Sequence, residues 1–290
     1  MTELAFTKMH GLGNDFVVID ARTGKPGAGV AISAAQASAI ADRRTGVGCD
    51  QFIIIEDASG GEANEGVDAF MRIRNADGGE VDACGNATRC IGAVLLDESG
   101  KDTVLIRTGA DLLTVTRAGY GLVTVDMGVA RVGWDEIPLS AEADTLHLDL
   151  SRGPLSDPAA ASMGNPHATF FVDDAEAVAI AEYGPGLEHD PIFPERANIG
   201  VAQILAPDRM RLRVWERGVG LTSACGTGAC AAVVNAHRRG LAGRRMVVVV
   251  DGGELLIDWR EDRPGGAGRV FMTGPAETSF SGALTLGVLS

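Results

Sequence analysis

Short runs of branched aliphatic residues, broken by Gly, Asn and Asp, set the rhythm of the chain and predict strands. Two longer apolar segments, each opened by Cys-Gly, predict buried helices. In the first half the pattern predicts a strand over 3–8, a turn at GLGND and a second strand over Phe16–Ile19. A helix over Ser33–Ala41 follows, with Ser33 as N-cap and Gln36 three residues on. Strands over Phe52–Ile55 and Ala69–Arg74 flank SGGEANEG (59–66), which reads as an exposed loop or hairpin tip, and Asp77-Gly78 marks a turn. The helix after Cys84 stops at Gly100. Strands over Thr103–Ile106, Leu112–Thr116 and Leu122–Asp126 complete the half.

The second half is less regular at its start. Residues 129–158 are interrupted by Pro and Gly, with HLDL (147–150) strand-like within them. A strand over Phe170–Val172, a short helix over Ala175–Glu182, and an irregular YGPGLEHDPIFP follow. Strands over Val201–Leu205 and Met210–Trp215 then lead to the second Cys-Gly helix, closed by Arg238, Arg239 and Gly240. Met246–Val250, Glu254–Trp259 and Arg269–Gly274 read as further strands.

The two halves repeat one another. DACGNATRC carries Cys84 and SACGTGACA carries Cys225; Asn75 and Glu216 each stand nine residues before their cysteine. VGCDQF answers IGVAQI, pairing Gly48 with Gly200 and Gln51 with Gln203, and GNDFVVID answers GNPHATFFVD, pairing Asn14 with Asn165. Four landmarks in one order indicate duplication. The expected organisation is a half over 1–125 carrying Cys84, a half over 126–271 carrying Cys225, and a terminal strand over 272–290 returning to the first half. A pseudo-twofold would bring both helix starts to one interface, where one thiol removes a proton from a carbon and the other returns one to the opposite face.

Composition narrows the possibilities. A formal charge of −14 argues against a general nucleic-acid or anionic-membrane surface, and 46% hydrophobic residues fit a folded globular chain. MTELAFTKMHGLGND has no basic-then-apolar leader pattern, and no uninterrupted apolar stretch is long enough to span a bilayer. Five cysteines without a dense framework favour a reducing cytoplasm. There is no CxxC, and Cys and His show no structural-zinc spacing.

A helix N-terminus lowers a thiol's pKa and attracts a carboxylate, which places Cys84 and Cys225 for acid–base work. Gly85, Asn86, Gly226 and Thr227 would offer amides to that carboxylate. Neither turn has the Lys-Ser/Thr ending of a phosphate loop. Cys90 and Cys230, inside the helices, read as inert core thiols. Glu216 suits a substrate ammonium or a thiol, Arg217 a carboxylate, and His167 a neighbouring thiol. Their plainer reading is ion pairing and turn structure, as Asn14's is its own turn.

KMHGLGNDFVVID, ADRRTGVGCDQ, RIRNADGGEVDACGNATRC, SMGNPH, ERGVGLTSACGTGACA and FMTGPA together resemble the diaminopimelate epimerase family nearly end to end. The resemblance implies an α/β fold of two pseudo-symmetric halves, each a curved, mainly antiparallel sheet or open barrel around a central helix. It implies interconversion of LL- and meso-2,6-diaminopimelate in lysine and peptidoglycan precursor synthesis. No pyridoxal phosphate, metal, nucleotide or other cofactor is implied, and a homodimer is. Cys84 and Cys225 would be the acid–base thiols, with His167 and Glu216 in support. Asn75, Asn198, Glu216 and Arg217 would recognise the distal end of the substrate. Asn14, Gln51 and Asn165 would line the pocket, and Gly85, Asn86, Gly226 and Thr227 would hold the reacting carboxylate. CGNATR and GVGLTS depart from the commoner CGNGAR and GAGETL without removing an acid–base residue. Alternatives are a proline racemase or hydroxyproline epimerase of the same fold, which typically carries CGH in the first motif, a non-catalytic amino-acid-binding protein, and a structural disulfide protein.

Overall fold

The computed structural model describes residues 3–261 and 268–285. The chain divides into two compact units, Met1–Val125 with Gly274–Ser290, and Asp126–Thr273.

In the first unit β1 (Glu3–Gly11) and β2 (Asn14–Asp20) form a hairpin whose last ladder pair is Gly11 with Asn14. Its two loop residues, Leu12 and Gly13, both have positive φ (57° and 84°), the turn geometry whose twist matches paired strands. Asn14 therefore leaves the turn in a fixed direction. Helix α1 (Ala34–Ala41) has the expected capping box between Ser33 and Gln36. Strand β3 (Gln51–Glu56) runs parallel to β2, starting with Gln51 beside Phe16. Residues 59–66 are not a loop: Ser59 caps a short helix, α2 (Gly60–Asn64), and Glu62 closes its capping box. Strand β4 (Ala69–Asn75) is antiparallel to β3, with Asn75 opposite Gln51. Then come β5 (Glu80–Val81), helix α3 (Gly85–Ser99), β6 (Thr103–Arg107) parallel to β4, β7 (Leu112–Gly119) and β8 (Leu122–Val129). Gly100, at φ 66°, ends α3, which packs on β1, β6 and β7.

The second unit departs from expectation at its start. HLDL is not a strand. Leu148 and Leu150 are buried, but the Leu150 amide donates back to the Leu148 carbonyl, so the backbone turns where the alternation suggested extension. A small hairpin, β9 (Ser151–Arg152) with β10 (Leu155–Ser156), lies just beyond. Strands β11 (Ala159–Ser162) and β12 (Pro166–Phe171) are antiparallel, and β12 begins four residues earlier than the apolar run Phe170–Val172 suggested.

The short helix is displaced as well. Residues 175–179 are not helical; α4 (Ile180–Glu188) runs through YGPGLE, which the sequence suggested was irregular. Gly184 is there for packing: a Cβ on it would lie 2.6 Å from Cγ of Trp215. Strand β13 (Asn198–Ala206) is parallel to β12, with Asn198 beside His167. β14 (Arg209–Glu216), β15 (Gly220–Thr222), helix α5 (Gly226–Arg238), β16 (Arg245–Val250) parallel to β14, β17 (Gly253–Arg260) and β18 (Arg269–Pro275) follow. Ten of the thirteen residues of α5 are buried, mostly Ala, Gly and Val, so the surrounding strands approach its backbone closely. The helix touches β11, β12, β13, β14, β16 and β17. The last strand, β19 (Glu277–Thr285), pairs antiparallel with β1, from Glu3 with Thr285 to His10 with Glu277.

Each unit is thus a mixed sheet with a central helix, as the α/β reading required. The described pairings are antiparallel apart from β2–β3, β4–β6, β12–β13 and β14–β16. Register corrects one pairing of the repeat. Phe16 lies beside Gln51 as His167 lies beside Asn198, so the counterpart of Gln51 is Asn198 rather than Gln203. Gln203 instead accepts the Ala175 amide through Oε1 at 3.2 Å.

Candidate active site

Cys84 is the N-cap of α3, with extended backbone (φ −152°, ψ 108°) and its Sγ 3.5 Å from the Ala87 amide. Its carbonyl accepts the Thr88 hydroxyl at 2.9 Å. Gly85 and Asn86 open the helix, so amides without intrahelical partners flank the sulfur. Asn14 Oδ1 lies 3.9 Å from Sγ and 3.2 Å from Asn86 Nδ2. Chemistry fixes that amide's orientation. Asn14 Nδ2 donates to Asp50 Oδ2 at 2.9 Å, and a carboxylate can only accept, so the amide oxygen is the end turned to the thiol.

Asp50 is held in turn. Arg43 spans Asp15 and Asp50, at 2.7 Å to each, and Lys8 pairs with Asp15 at 2.6 Å. Burial works against the Asp15 carboxylate, yet hydrogen bonds from Arg43, Lys8 and the Asp50 amide outweigh it and hold Asp15 well below the ordinary carboxylate range. Gln51 and Asn75 meet across β3 and β4, Nε2 to Oδ1 at 3.0 Å. Gln51 Oε1 is buried and has no hydrogen-bond partner among the described residues.

In the second unit Cys225 caps α5 with similar backbone (φ −107°, ψ 106°) and is 4% exposed. Its sulfur lies 3.7 Å from Thr227 Oγ1, which receives Asn165 Nδ2 at 3.4 Å; Asn165 Oδ1 in turn meets His167 Nε2 at 3.0 Å. Because Asn165 offers His167 its oxygen, the imidazole proton is assigned to Nε2. His167 does not touch the thiol directly; it reaches it through Asn165 and Thr227.

Burial and the Arg217 charge push His167 down to about 3, so the ring is neutral. Burial, and after it the Glu216 carboxylate, push the Cys225 thiol well above its ordinary value; Gly228 and Thr227 favour the thiolate more weakly. The expected lowering by a helix N-terminus is therefore overturned at Cys225, because desolvation is the larger effect. Glu216 Oε1 receives the Thr222 hydroxyl at 2.5 Å. Asn198 bridges Pro166 and Arg217, donating to the Pro166 carbonyl and accepting the Arg217 amide, each at 3.0 Å.

Cys84 lies beside Asn14, and Cys225 beside Thr227 and Glu216, while Gln51 pairs with Asn75 and Asn198 with Arg217. Sequence reasoning missed Lys8, Asp15, Arg43, Asp50 and Thr222, which hold Asn14 and Glu216 in place. Asp15 and Asp50 abut Asn14 and Gln51 in sequence, a signal that was available. Among the described residues no group of three or more His, Cys, Asp or Glu is placed to hold a metal ion.

The family model described as diaminopimelate epimerase matches residues 6–133 and 159–279. A diaminopimelate epimerase from Acidiphilium cryptum is 56% identical over 285 residues, covering 98% of each chain. Among solved structures, a phenazine biosynthesis protein of the PhzF family from Bacillus anthracis superposes with a TM-score of 0.69 at 16% identity, over 98% of this chain and 100% of that one. A hydroxyproline epimerase from Agrobacterium vitis, with bound trans-4-hydroxy-L-proline, gives 0.66 at 15% identity, over 98% and 92%. The structural likenesses establish the fold. The family match and the sequence identity place this chain in the diaminopimelate epimerase family.

Proposed function

We propose that the protein interconverts LL-2,6-diaminopimelate and meso-2,6-diaminopimelate, serving lysine and peptidoglycan precursor synthesis. The observation that carries the reading is a duplicated scaffold in which each unit opens its central helix with an N-cap cysteine. One thiolate takes the α-proton, and the electron pair of the broken C–H bond delocalises toward the carboxylate. The other thiol delivers its proton to the opposite face, leaving each sulfur in the state the other began in. Direction of reaction decides which cysteine is the base.

Gly85, Asn86, Gly226 and Thr227 supply helix-end donors for the carboxylate as charge develops. Asn14 Oδ1 accepts from a protonated Cys84, and Thr227, Asn165 and neutral His167 line up behind Cys225. Glu216 favours the protonated form of Cys225. Asn75, Asn198, Glu216 and Arg217 recognise the distal ammonium and carboxylate, and the buried Gln51 Oε1 suits an ammonium donor. A substrate such as proline would leave Glu216 and Arg217 unused, and the hydroxyproline epimerase likeness speaks to fold alone.

Incubation with LL-diaminopimelate in heavy water tests the reading. Deuterium should enter one α-position as meso product forms, and Cys84→Ala or Cys225→Ala should abolish epimerisation with the fold kept. Full turnover by either variant would sink the two-thiol scheme, and absence of exchange in the reduced wild type would turn attention to proline. The working form is proposed to be a cytoplasmic homodimer. Strand β19 presents Phe280, 51% exposed, and sedimentation equilibrium distinguishes dimer from monomer. No helix among the described residues is long and apolar enough to cross a membrane, which says nothing of strand-built spans.

A further inference from the structure

Glu188, the last residue of α4, is a carboxylate only 3% exposed. Burying such a group is costly unless donors surround it, and both oxygens are used. Oε2 accepts from Trp215 Nε1 at 2.8 Å, and Oε1 accepts from the Gly218 amide at 2.8 Å. The Arg196 guanidinium lies 3.5 Å away. Trp215 and Gly218 are the residues on either side of Glu216-Arg217. One buried carboxylate therefore clamps both ends of the dipeptide assigned to the far end of the substrate.

The surrounding contacts belong to the same mould. The stretch 188–198 also supplies the Glu195 carbonyl, which receives Arg217 Nη1 at 2.9 Å, and Asn198 Oδ1, which receives the Arg217 amide. Gly184 lets α4 approach the Trp215 ring, and Gly218 takes a positive φ (74°) that lets its amide turn toward Glu188. The equivalent turn of the first unit is held otherwise: Arg74 Nη1 donates to the Gly78 carbonyl at 2.9 Å, and Gly78 packs on the backbone of Ala34. The carboxylate clamp belongs to the unit whose landmarks are charged.

We propose that Glu188 is a positioning residue that fixes the Glu216-Arg217 turn and thereby sets affinity for the distal amino-acid end of the substrate. The inference rests on the roles given above to Glu216 and Arg217.

The test is kinetic. In Glu188→Gln a single amide oxygen cannot serve Trp215 and Gly218 on opposite sides, and its NH2 must face one N–H group. KM for LL-diaminopimelate should rise about tenfold with kcat changed less than about threefold, because the interaction is made in both ground and transition states. Trp215→Phe removes one of the competing donors. In Glu188→Gln/Trp215→Phe the amide oxygen is free for Gly218, and KM should return to within about twofold of Trp215→Phe alone. An unmoved KM with only a lower melting temperature, or a double variant as weak as Glu188→Gln, overturns the proposal.

If Glu188→Gln does not fold, Glu188→Leu/Trp215→Phe decides. It offers Gly218 no acceptor, so its KM should exceed that of the Gln/Phe pair about tenfold, and equality counts against the clamp. A wild type that exchanges no α-deuterium with LL-diaminopimelate would instead overturn the functional reading itself. Active wild type with unmoved KM in the variants would overturn only the role of Glu188.

Discussion

His167 has a value of about 3 in the folded chain against about 6.5 when exposed, because burial penalises the imidazolium. As pH falls, the unfolded chain binds the proton first. The stability this residue contributes is therefore complete above about pH 6.5 and is lost progressively as pH falls toward 3, at about 1.4 kcal/mol per unit. Urea unfolding at pH 7.5 and pH 4.5 should show His167→Gln losing about 3 kcal/mol less than wild type over that interval; parallel losses would count against a buried neutral ring. Cys225 makes a second residue-scale prediction. Its thiol is buried and held protonated, whereas Cys84 is partly accessible. Iodoacetamide at pH 7.5, followed by peptide mass spectrometry, should modify Cys84 at least about tenfold faster. Glu216→Gln removes the repulsive carboxylate and should speed labelling of Cys225; an unchanged rate would leave burial as the sole cause.

At the scale of elements, legibility followed the physics that formed each one. Ser33 and Gln36 announced α1, and the two Cys-Gly helices were plain from their apolar runs. Ser59 and Glu62 carried the same capping signal for α2, but the glycines between them concealed it. In α4 the glycines answer to neighbours absent from the local pattern, so Gly184 and Gly186 read as loop while serving Trp215 and Arg152. HLDL misled the other way, since alternating burial does not distinguish a strand from a bent segment laid over a core. The thiol landmarks were legible because motifs mark them; the ion pairs that brace Asn14 were hidden because Lys8, Arg43 and Asp50 meet only in the fold. Helix α3 offers a packing test. A Cβ on Gly92 would lie 2.3 Å from Val115 Cγ1, so Gly92→Ala should cost about 1–3 kcal/mol in chemical unfolding. Val115→Ala in that background should recover part of the loss, and no recovery would place the strain elsewhere.

Over the whole chain, one scaffold occurs twice with different chemistry at matching positions. Register and motif spacing equate Gln51 with Asn198, Asn75 with Glu216, Phe16 with His167, and Asn86 with Thr227. The first unit's set is three uncharged amides and a phenyl ring, while the second has a carboxylate and an imidazole. Duplication supplied two thiols, and divergence gave one copy a charge at the position proposed to meet a second amino-acid headgroup. Glu216→Asn therefore writes into the second unit what its sister already carries, and the scaffold should accept it. Asn is one methylene shorter, so Thr222 loses its short bond and, on the role proposed for Glu216, the distal ammonium loses its counter-charge. Unfolding free energy should fall by about 1 kcal/mol, the worth of one hydrogen bond, while kcat/KM for LL-diaminopimelate should fall at least about a hundredfold. Urea denaturation and the deuterium assay on the same preparation separate the two effects. If activity survived with the carboxylate gone, Glu216 would belong to the fold, and recognition of the far headgroup would rest on Arg217, Asn75 and Asn198.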